Sequence, residues 1–292
     1  MIHANTPDPG VALLAGTYYA VTTGTSDAGI FPIHTSVDLV TWSASGAIWK
    51  EGNGVYAPKW AKPNGDFWAP EMHPWAPASA DNSTESSQAK YILVFTAQNL
   101  ADGQLSIGSA VAEHPLGPWI ASDKPLVTAS WTGYIDATFF RDTDSTPYLI
   151  WKTDGNAHGL HTPIWQAKLD AASNGTRLAG SGDNSTWTQL ITNDESWEGP
   201  LVEAPWMIKH QASGNYYLFY SGSEMQGYGV GVARSSSVSG PFTKLGAPIL
   251  RHEAYDPGRD PNPPLIGTGH CSVIPVHWGA SSSSSSSSPV SS

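Results

Sequence analysis

One polar residue returns at a nearly constant interval along this 292-residue chain, each time at the start of a strand-like segment. It is Asp8 in Pro7-Asp8-Pro9, Glu71 in Trp68-Ala69-Pro70-Glu71, Asp136 in Ile135-Asp136-Ala137, Glu203 in Val202-Glu203-Ala204-Pro205 and His270 in Gly269-His270-Cys271. The steps are 63, 65, 67 and 67 residues. Such a period means one supersecondary unit, repeated, whose apolar face is buried by its neighbours. Runs rich in aromatic and branched residues give its secondary structure: Gly16-Thr17-Tyr18-Tyr19-Ala20-Val21, Lys90-Tyr91-Ile92-Leu93-Val94-Phe95, Pro147-Tyr148-Leu149-Ile150-Trp151 and Asn215-Tyr216-Tyr217-Leu218-Phe219-Tyr220. Each follows a polar or turn-prone stretch and reads as a strand. Helical periodicity is nearly absent, and 29 Gly and 23 Pro supply the turns. Later landmarks repeat as well: Ala112-Glu113-His114-Pro115-Leu116-Gly117-Pro118-Trp119 parallels the stretch from Ala233 to Phe242. Five units predict an all-β fold, a five-bladed β-propeller whose blades carry long loops, because four strands with short turns need only ~40–50 residues.

In a propeller the innermost strand of every blade starts at the same end of the central channel. Asp8, Glu71, Asp136, Glu203 and His270 would then form a ring around the axis. Carboxylates crowded in this way are costly to bury and are expected to have perturbed pKa values. The plainer alternative is that each residue caps a strand or closes a turn. After His270 only Cys271-Ser272-Val273-Ile274-Pro275-Val276-His277-Trp278 reads as ordered, before a serine run from Ser281 to Ser288. The expectation is therefore an incomplete fifth blade, with residues 1–279 as one catalytic propeller domain and 280–292 as a Ser-rich disordered tail or linker.

The net charge of −11 argues against a nucleic-acid partner, which needs a basic face. No apolar run is long enough to cross a membrane. Cys271 is the single cysteine, so an intrachain disulfide is excluded. Sequons at Asn82, Asn174 and Asn184 point to a secreted, extracellular protein. No His-Glu-x-x-His pattern or cysteine cluster announces a hydrolytic zinc.

Five segments, in order, resemble family 43 of the glycoside hydrolases: Thr6-Pro7-Asp8-Pro9-Gly10-Val11, Phe67-Trp68-Ala69-Pro70-Glu71, Tyr134-Ile135-Asp136-Ala137-Thr138-Phe139-Phe140, Val202-Glu203-Ala204-Pro205-Trp206-Met207 and Gly267-Thr268-Gly269-His270-Cys271-Ser272-Val273. The resemblance implies an inverting hydrolase that removes or cleaves α-L-arabinofuranosyl or β-D-xylosyl residues of plant polysaccharides. It implies Asp8 as general base, Glu203 as general acid and Asp136 as the carboxylate that tunes the acid. Like-charge repulsion from Asp136 would then raise the pKa of Glu203. The stretch Leu149-Ile150-Trp151-Lys152-Thr153-Asp154-Gly155-Asn156, with His161-Thr162-Pro163-Ile164-Trp165, resembles members described as xylosidases or arabinosidases.

The resemblance also implies a histidine, His270, that can hold a central cation, commonly calcium. Such an ion would be structural, with no cofactor required for the chemistry. A histidine plugging the channel by hydrogen bonds alone is the other reading. Glu71 is a substrate partner or a brace of its blade. Trp68 and Trp206 flank ring residues and could stack on a sugar, or could pack between blades. The partner is an oligosaccharide or polysaccharide. Two alternatives stay open: a propeller that binds carbohydrate without cleaving it, and a truncated inactive family member. A fructosidase-type propeller is disfavoured because Arg141-Asp142 is followed by Thr143 rather than proline.

Overall fold

The computed structural model describes residues 5–50, 57–63, 65–75, 91–128, 131–180, 183–224, 227–251 and 267–274. These form four antiparallel sheets in chain order, each one blade. Blade 1 holds β1 (Gly10–Leu14), β2 (Thr17–Val21), β3 (Thr25–Ser26), β4 (Gly29–Ser36) and β5 (Ser43–Trp49). Blade 2 holds β6 (Trp68–Pro74), β7 (Tyr91–Gln98), β8 (Leu105–Ala112), β9 (Ile120–Ala121) and β10 (Val127–Thr128). Blade 3 holds β11 (Tyr134–Arg141), β12 (Pro147–Thr153), β13 (Ile164–Lys168) and β14 (Thr188–Ile191). Blade 4 holds β15 (Val202–Lys209), β16 (Tyr216–Gly222), β17 (Gly229–Ser235), β18 (Thr243–Lys244) and β19 (Leu250–Arg251). The inner strands β1, β6, β11 and β15 pack against one another in that order.

The core lies between blades rather than within one. Phe31, Trp49, Phe67 and Phe95 interlock between blades 1 and 2, with ring centroids 5.2 to 6.0 Å apart. Trp75, Ile92, Phe139 and Trp151 belong to the second cluster, and Phe140, Ile150, Met207 and Tyr216 to the third. Because each middle blade is covered on both faces, its strands bury consecutive residues: six in a row in β11 and in β12. This explains the unbroken apolar runs of the sequence, where a one-sided sheet would alternate.

The incomplete fifth blade that the repeat implied is not seen as a blade among the described residues. The fifth unit is represented there by 267–274 alone, which contain no strand. That segment still bridges blade 4 and blade 1. The His270 N–H donates to Ser221 Oγ at 2.8 Å and the Thr268 hydroxyl to the Tyr228 carbonyl at 3.0 Å. On the other side the Ser272 hydroxyl donates to the Pro9 carbonyl at 3.0 Å and accepts the Val11 N–H at 2.9 Å. The structure thus shows four blades and a segment spanning the gap between the first and the last. The serine run, residues 275–292, and the sequon at Asn82 lie outside the described residues.

The repeat itself resolves into a backbone device. Asp8, Ala69, Asp136, Ala204 and His270 all adopt left-handed φ values between 45° and 57°. In β6, β11 and β15 this residue falls where the pairing register shifts, between Trp68 and Glu71, Ile135 and Thr138, and Glu203 and Trp206. A bulge of this kind leaves one residue unpaired and re-aims its side chain. The equivalent positions are therefore 8, 69, 136, 204 and 270, in steps of 61, 67, 68 and 66. Glu203 precedes its bulge residue by one position and Glu71 follows its own by two. The two are offset from the register that aligns Asp8, Asp136 and His270.

The bulge also turns a backbone N–H out of its own sheet, and a buried N–H needs an acceptor. The preceding blade supplies it. Ala69 N–H donates to Thr23 Oγ1 at 2.7 Å, Asp136 N–H to Thr96 Oγ1 at 3.2 Å and His270 N–H to Ser221 Oγ at 2.8 Å. At the junction of blades 3 and 4 the pattern breaks. Thr96 pairs with Trp68 and Ser221 with Glu203, and the corresponding partner of Ile135 is Lys152. Lys152 cannot accept, and the Ala204 N–H is taken by Asp136 Oδ2 at 3.1 Å.

Candidate active site

The channel end of the inner strands gathers four acids and a histidine. Asp136 is almost fully buried, and its electrostatic neighbours are His270, Glu203, Lys152 and Asp8. His270, also buried, is influenced by Asp136, Asp8, Glu71 and Glu203. The predicted Asp8, Asp136, Glu203, Glu71 and His270 thus meet at one place. Asp8 is the most open acid: its side chain is 34% exposed against 19% for Glu203. Its two oxygens are held, Oδ2 by the Thr23 hydroxyl at 2.7 Å and Oδ1 by His270 Nδ1 at 3.3 Å. Thr23 therefore both accepts the Ala69 N–H and orients Asp8.

Glu203 is held from two sides. Lys152 Nζ donates to Oε2 at 2.8 Å and the Tyr228 hydroxyl to Oε1 at 2.7 Å. Lys152 is completely buried and also donates to Asp154 Oδ1 at 3.1 Å and Asn156 Oδ1 at 2.9 Å. Tyr228 is placed by the backbone of Gly269, where any side chain would collide with its ring. Neither Lys152 nor Tyr228 was a predicted site residue. The signal for Lys152 was available: a lysine directly continuing the apolar run Leu149-Ile150-Trp151 has no place in a core unless a carboxylate meets it. Tyr228 had no such mark, since its placement depends on a contact 41 residues away with Gly269.

These contacts divide the ionisation of the two central acids. Burial dominates at Asp136 and, with Glu203 and Asp8 adding to it against His270 and Lys152, pushes its pKa up to about 7. Burial also raises Glu203, but the Lys152 charge and hydrogen bond, the Tyr228 hydroxyl and His270 outweigh it and hold that carboxyl below its ordinary value. The expected division was the reverse, with a charged Asp136 raising Glu203. The reason is Lys152, whose cation is spent on Glu203 while Asp136 takes the deeper position. His270 is raised above its usual value because the surrounding acids outweigh its own burial.

The remaining predicted residues separate. Glu71 is buried and its Oε2 meets His73 Nε2 at 2.9 Å. Trp206 is also buried, with its ring centroid 5.2 Å from that of His73. It packs in the channel between inner strands, not on an open sugar face. Trp68 stays half-buried and occupies in blade 2 the register position that Glu203 occupies in blade 4, one before the bulge. For a metal, no group of three or more His, Cys, Asp or Glu side chains able to hold an ion occurs among the described residues. His270 would be the single nitrogen donor, and its Nδ1 is engaged by Asp8. Among the described residues, then, the protein side chains alone do not build a metal site.

Comparison with known proteins bears on the fold and the family. The family model described as glycosyl hydrolases family 43 matches residues 1–282. A β-D-galactofuranosidase of Aspergillus niger is 25% identical over 282 residues, 91% of this chain and 69% of that protein. An extracellular endo-α-(1→5)-L-arabinanase of Thermotoga petrophila is 22% identical, covering 80% of this chain and 50% of that protein. A β-xylosidase of Xylanibacter ruminicola is 29% identical, covering 64% and 62%. The chain thus spans half to about two thirds of the length of these relatives. Among solved structures, a thermostable family-43 glycoside hydrolase superposes with a TM-score of 0.71 at 28% identity, covering 91% of this chain and 78% of that one.

Proposed function

The chain belongs to family 43 of the glycosyl hydrolases, and from that premise we propose that it hydrolyses glycosidic bonds with inversion, taking α-L-arabinofuranosyl or β-D-xylosyl residues from plant cell-wall polysaccharides. The observation that carries this reading is the gathering of three carboxyl groups at the channel, buried Asp136 next to Glu203 and the more open Asp8. Inversion needs one carboxyl to protonate the leaving oxygen and a second, ~6.5–9.5 Å away, to activate water on the other face of the sugar. Asp8 suits the base. It is the most exposed of the three, and the Thr23 hydroxyl fixes its orientation.

Glu203 is assigned as the acid. Near neutrality the Asp136–Glu203 pair holds one proton, which belongs to the pair rather than to either member. Burial favours that proton on Asp136, and the Lys152 bond favours the charged form of Glu203. As a glycosidic oxygen approaches Glu203, a carboxylic acid there gains an acceptor, and proton transfer within the pair readies the acid. Asp136 thus acts as the proton store that makes Glu203 an acid near pH 7. Relatives described as acting on galactofuranosides, arabinan and xylosides frame the substrate class. Secretion remains part of the proposal, and the exposed sequon at Asn184 suits it.

A panel of arabinofuranosides, xylosides and galactofuranosides, as nitrophenyl glycosides and as oligosaccharides, tests the proposal. Release of arabinose or xylose is expected. Binding of these sugars without turnover on any member would replace it by the carbohydrate-binding propeller.

A further inference from the structure

Twelve of the 13 tryptophans lie among the described residues, and one of them, Trp131, is strongly exposed, at 56%. Its ring meets that of His158 with centroids 5.1 Å apart and planes at 54°. His158, also exposed, belongs to a single 3-10 turn, Asn156–His158, and Leu160 beyond it is 44% exposed. Two ties lead from this aromatic pair to Glu203. The side chain of Asn156, which opens the turn, accepts from Lys152 Nζ at 2.9 Å, and the same Nζ holds Glu203 at 2.8 Å. Just ahead of β11, Gly133, two residues after Trp131, accepts the N–H of Asp154 at 3.0 Å through its carbonyl, and Asp154 Oδ1 also accepts from Lys152. One buried cation therefore fixes the acid and both backbone segments that carry the exposed rings.

This arrangement has a chemical direction. A general acid protonates the oxygen of the sugar that departs, so that sugar must lie beside Glu203. Asp136 and His270 act on Glu203 from the channel, and the Tyr228 hydroxyl reaches its Oε1 from blade 4. From blade 3 the segments tied to Glu203 through Lys152 carry Trp131 and His158. A sugar ring offers an apolar C–H face that desolvates well on an indole and an imidazole, while its hydroxyls stay in water.

We propose that Trp131 and His158 form the platform for the leaving-group sugar, held in register with Glu203 by Lys152. The proposal rests on the hydrolase reading and narrows it: the preferred substrate has a saccharide on the leaving side of the scissile bond.

The test uses the full chain, with Trp131→Ala, Trp131→Tyr and His158→Ala. Each is assayed on the best-cleaved disaccharide of the panel and on the glycosyl fluoride of the same sugar, whose leaving group has no ring to stack. Trp131→Ala is expected to raise KM for the disaccharide. The ratio of kcat/KM for disaccharide over fluoride should fall about tenfold, in keeping with the loss of one stacked ring. Trp131→Tyr should restore most of that ratio and His158→Ala should lower it less than Trp131→Ala. Should Trp131→Ala fail to fold, the His158→Ala ratio decides. An active wild-type chain whose ratio survives both alanine changes overturns the platform and leaves the hydrolase reading standing. A wild-type chain that cleaves neither substrate overturns both.

Discussion

At the scale of single residues, the site is a contest between burial and one lysine. Lys152 lowers the pKa of Glu203 and of Asp136 together. Removing its charge in Lys152→Met should therefore raise the pKa of the pair. The sign follows directly. The pair must carry one proton to act as an acid, so activity falls as pH rises through the pair's pKa near 7. In the methionine variant that basic limb moves to higher pH, and a limb that stays in place or moves down would disprove the role given to Lys152. Glu203→Gln removes the proposed acid. Hydrolysis of an unactivated glycoside should drop about 10²–10⁴-fold, while a substrate with a very good leaving group suffers much less. Equal losses on both substrates would take the acid role from Glu203. The acids were legible in the sequence because each lies in a short motif at a fixed step. Their division of labour was not, because it depends on Lys152 meeting Glu203 from 51 positions away.

At the scale of elements, the recurring feature is a bulge whose turned-out N–H is caught by the previous blade. The hydroxyls of Thr23, Thr96 and Ser221 serve this purpose at three junctions. Thr96→Val keeps the shape of the side chain and removes the acceptor. Leaving the buried Asp136 N–H without a partner should cost about 1–3 kcal/mol, read as a lower denaturant midpoint with unchanged slope. It should also lower activity, because that N–H positions Asp136. A variant as stable and as active as the parent would show that the bond does not anchor the bulge. The strands were readable from their aromatic runs. The bulge register was not: the eye aligns charged residues, whereas the backbone aligns Asp8, Ala69, Asp136, Ala204 and His270, two of them alanines. Only dihedral angles reveal that equivalence.

At the scale of the molecule, stability resides in the seams between blades, and the site lies where those seams converge. Trp151, without exposed surface, belongs to the cluster between blades 2 and 3 and meets Trp187 of its own blade with ring centroids 4.8 Å apart. Trp151→Ala should cost about 3–5 kcal/mol, and a small thermal shift would contradict the seam as the main source of cohesion. The repeat predicted a five-fold ring, and the described residues show four blades with His270 and Ser272 spanning from blade 4 to blade 1. In the proposed mechanism that span matters, because it ties blade 1, which carries Asp8, to blade 4, which carries Glu203. The stereochemistry of hydrolysis reports on this placement. Proton NMR of the first sugar released, recorded before mutarotation, should show the anomer opposite to that of the substrate. Release of the same anomer would mean that the second carboxyl attacks the sugar rather than a water, and would contradict Asp8 as the base.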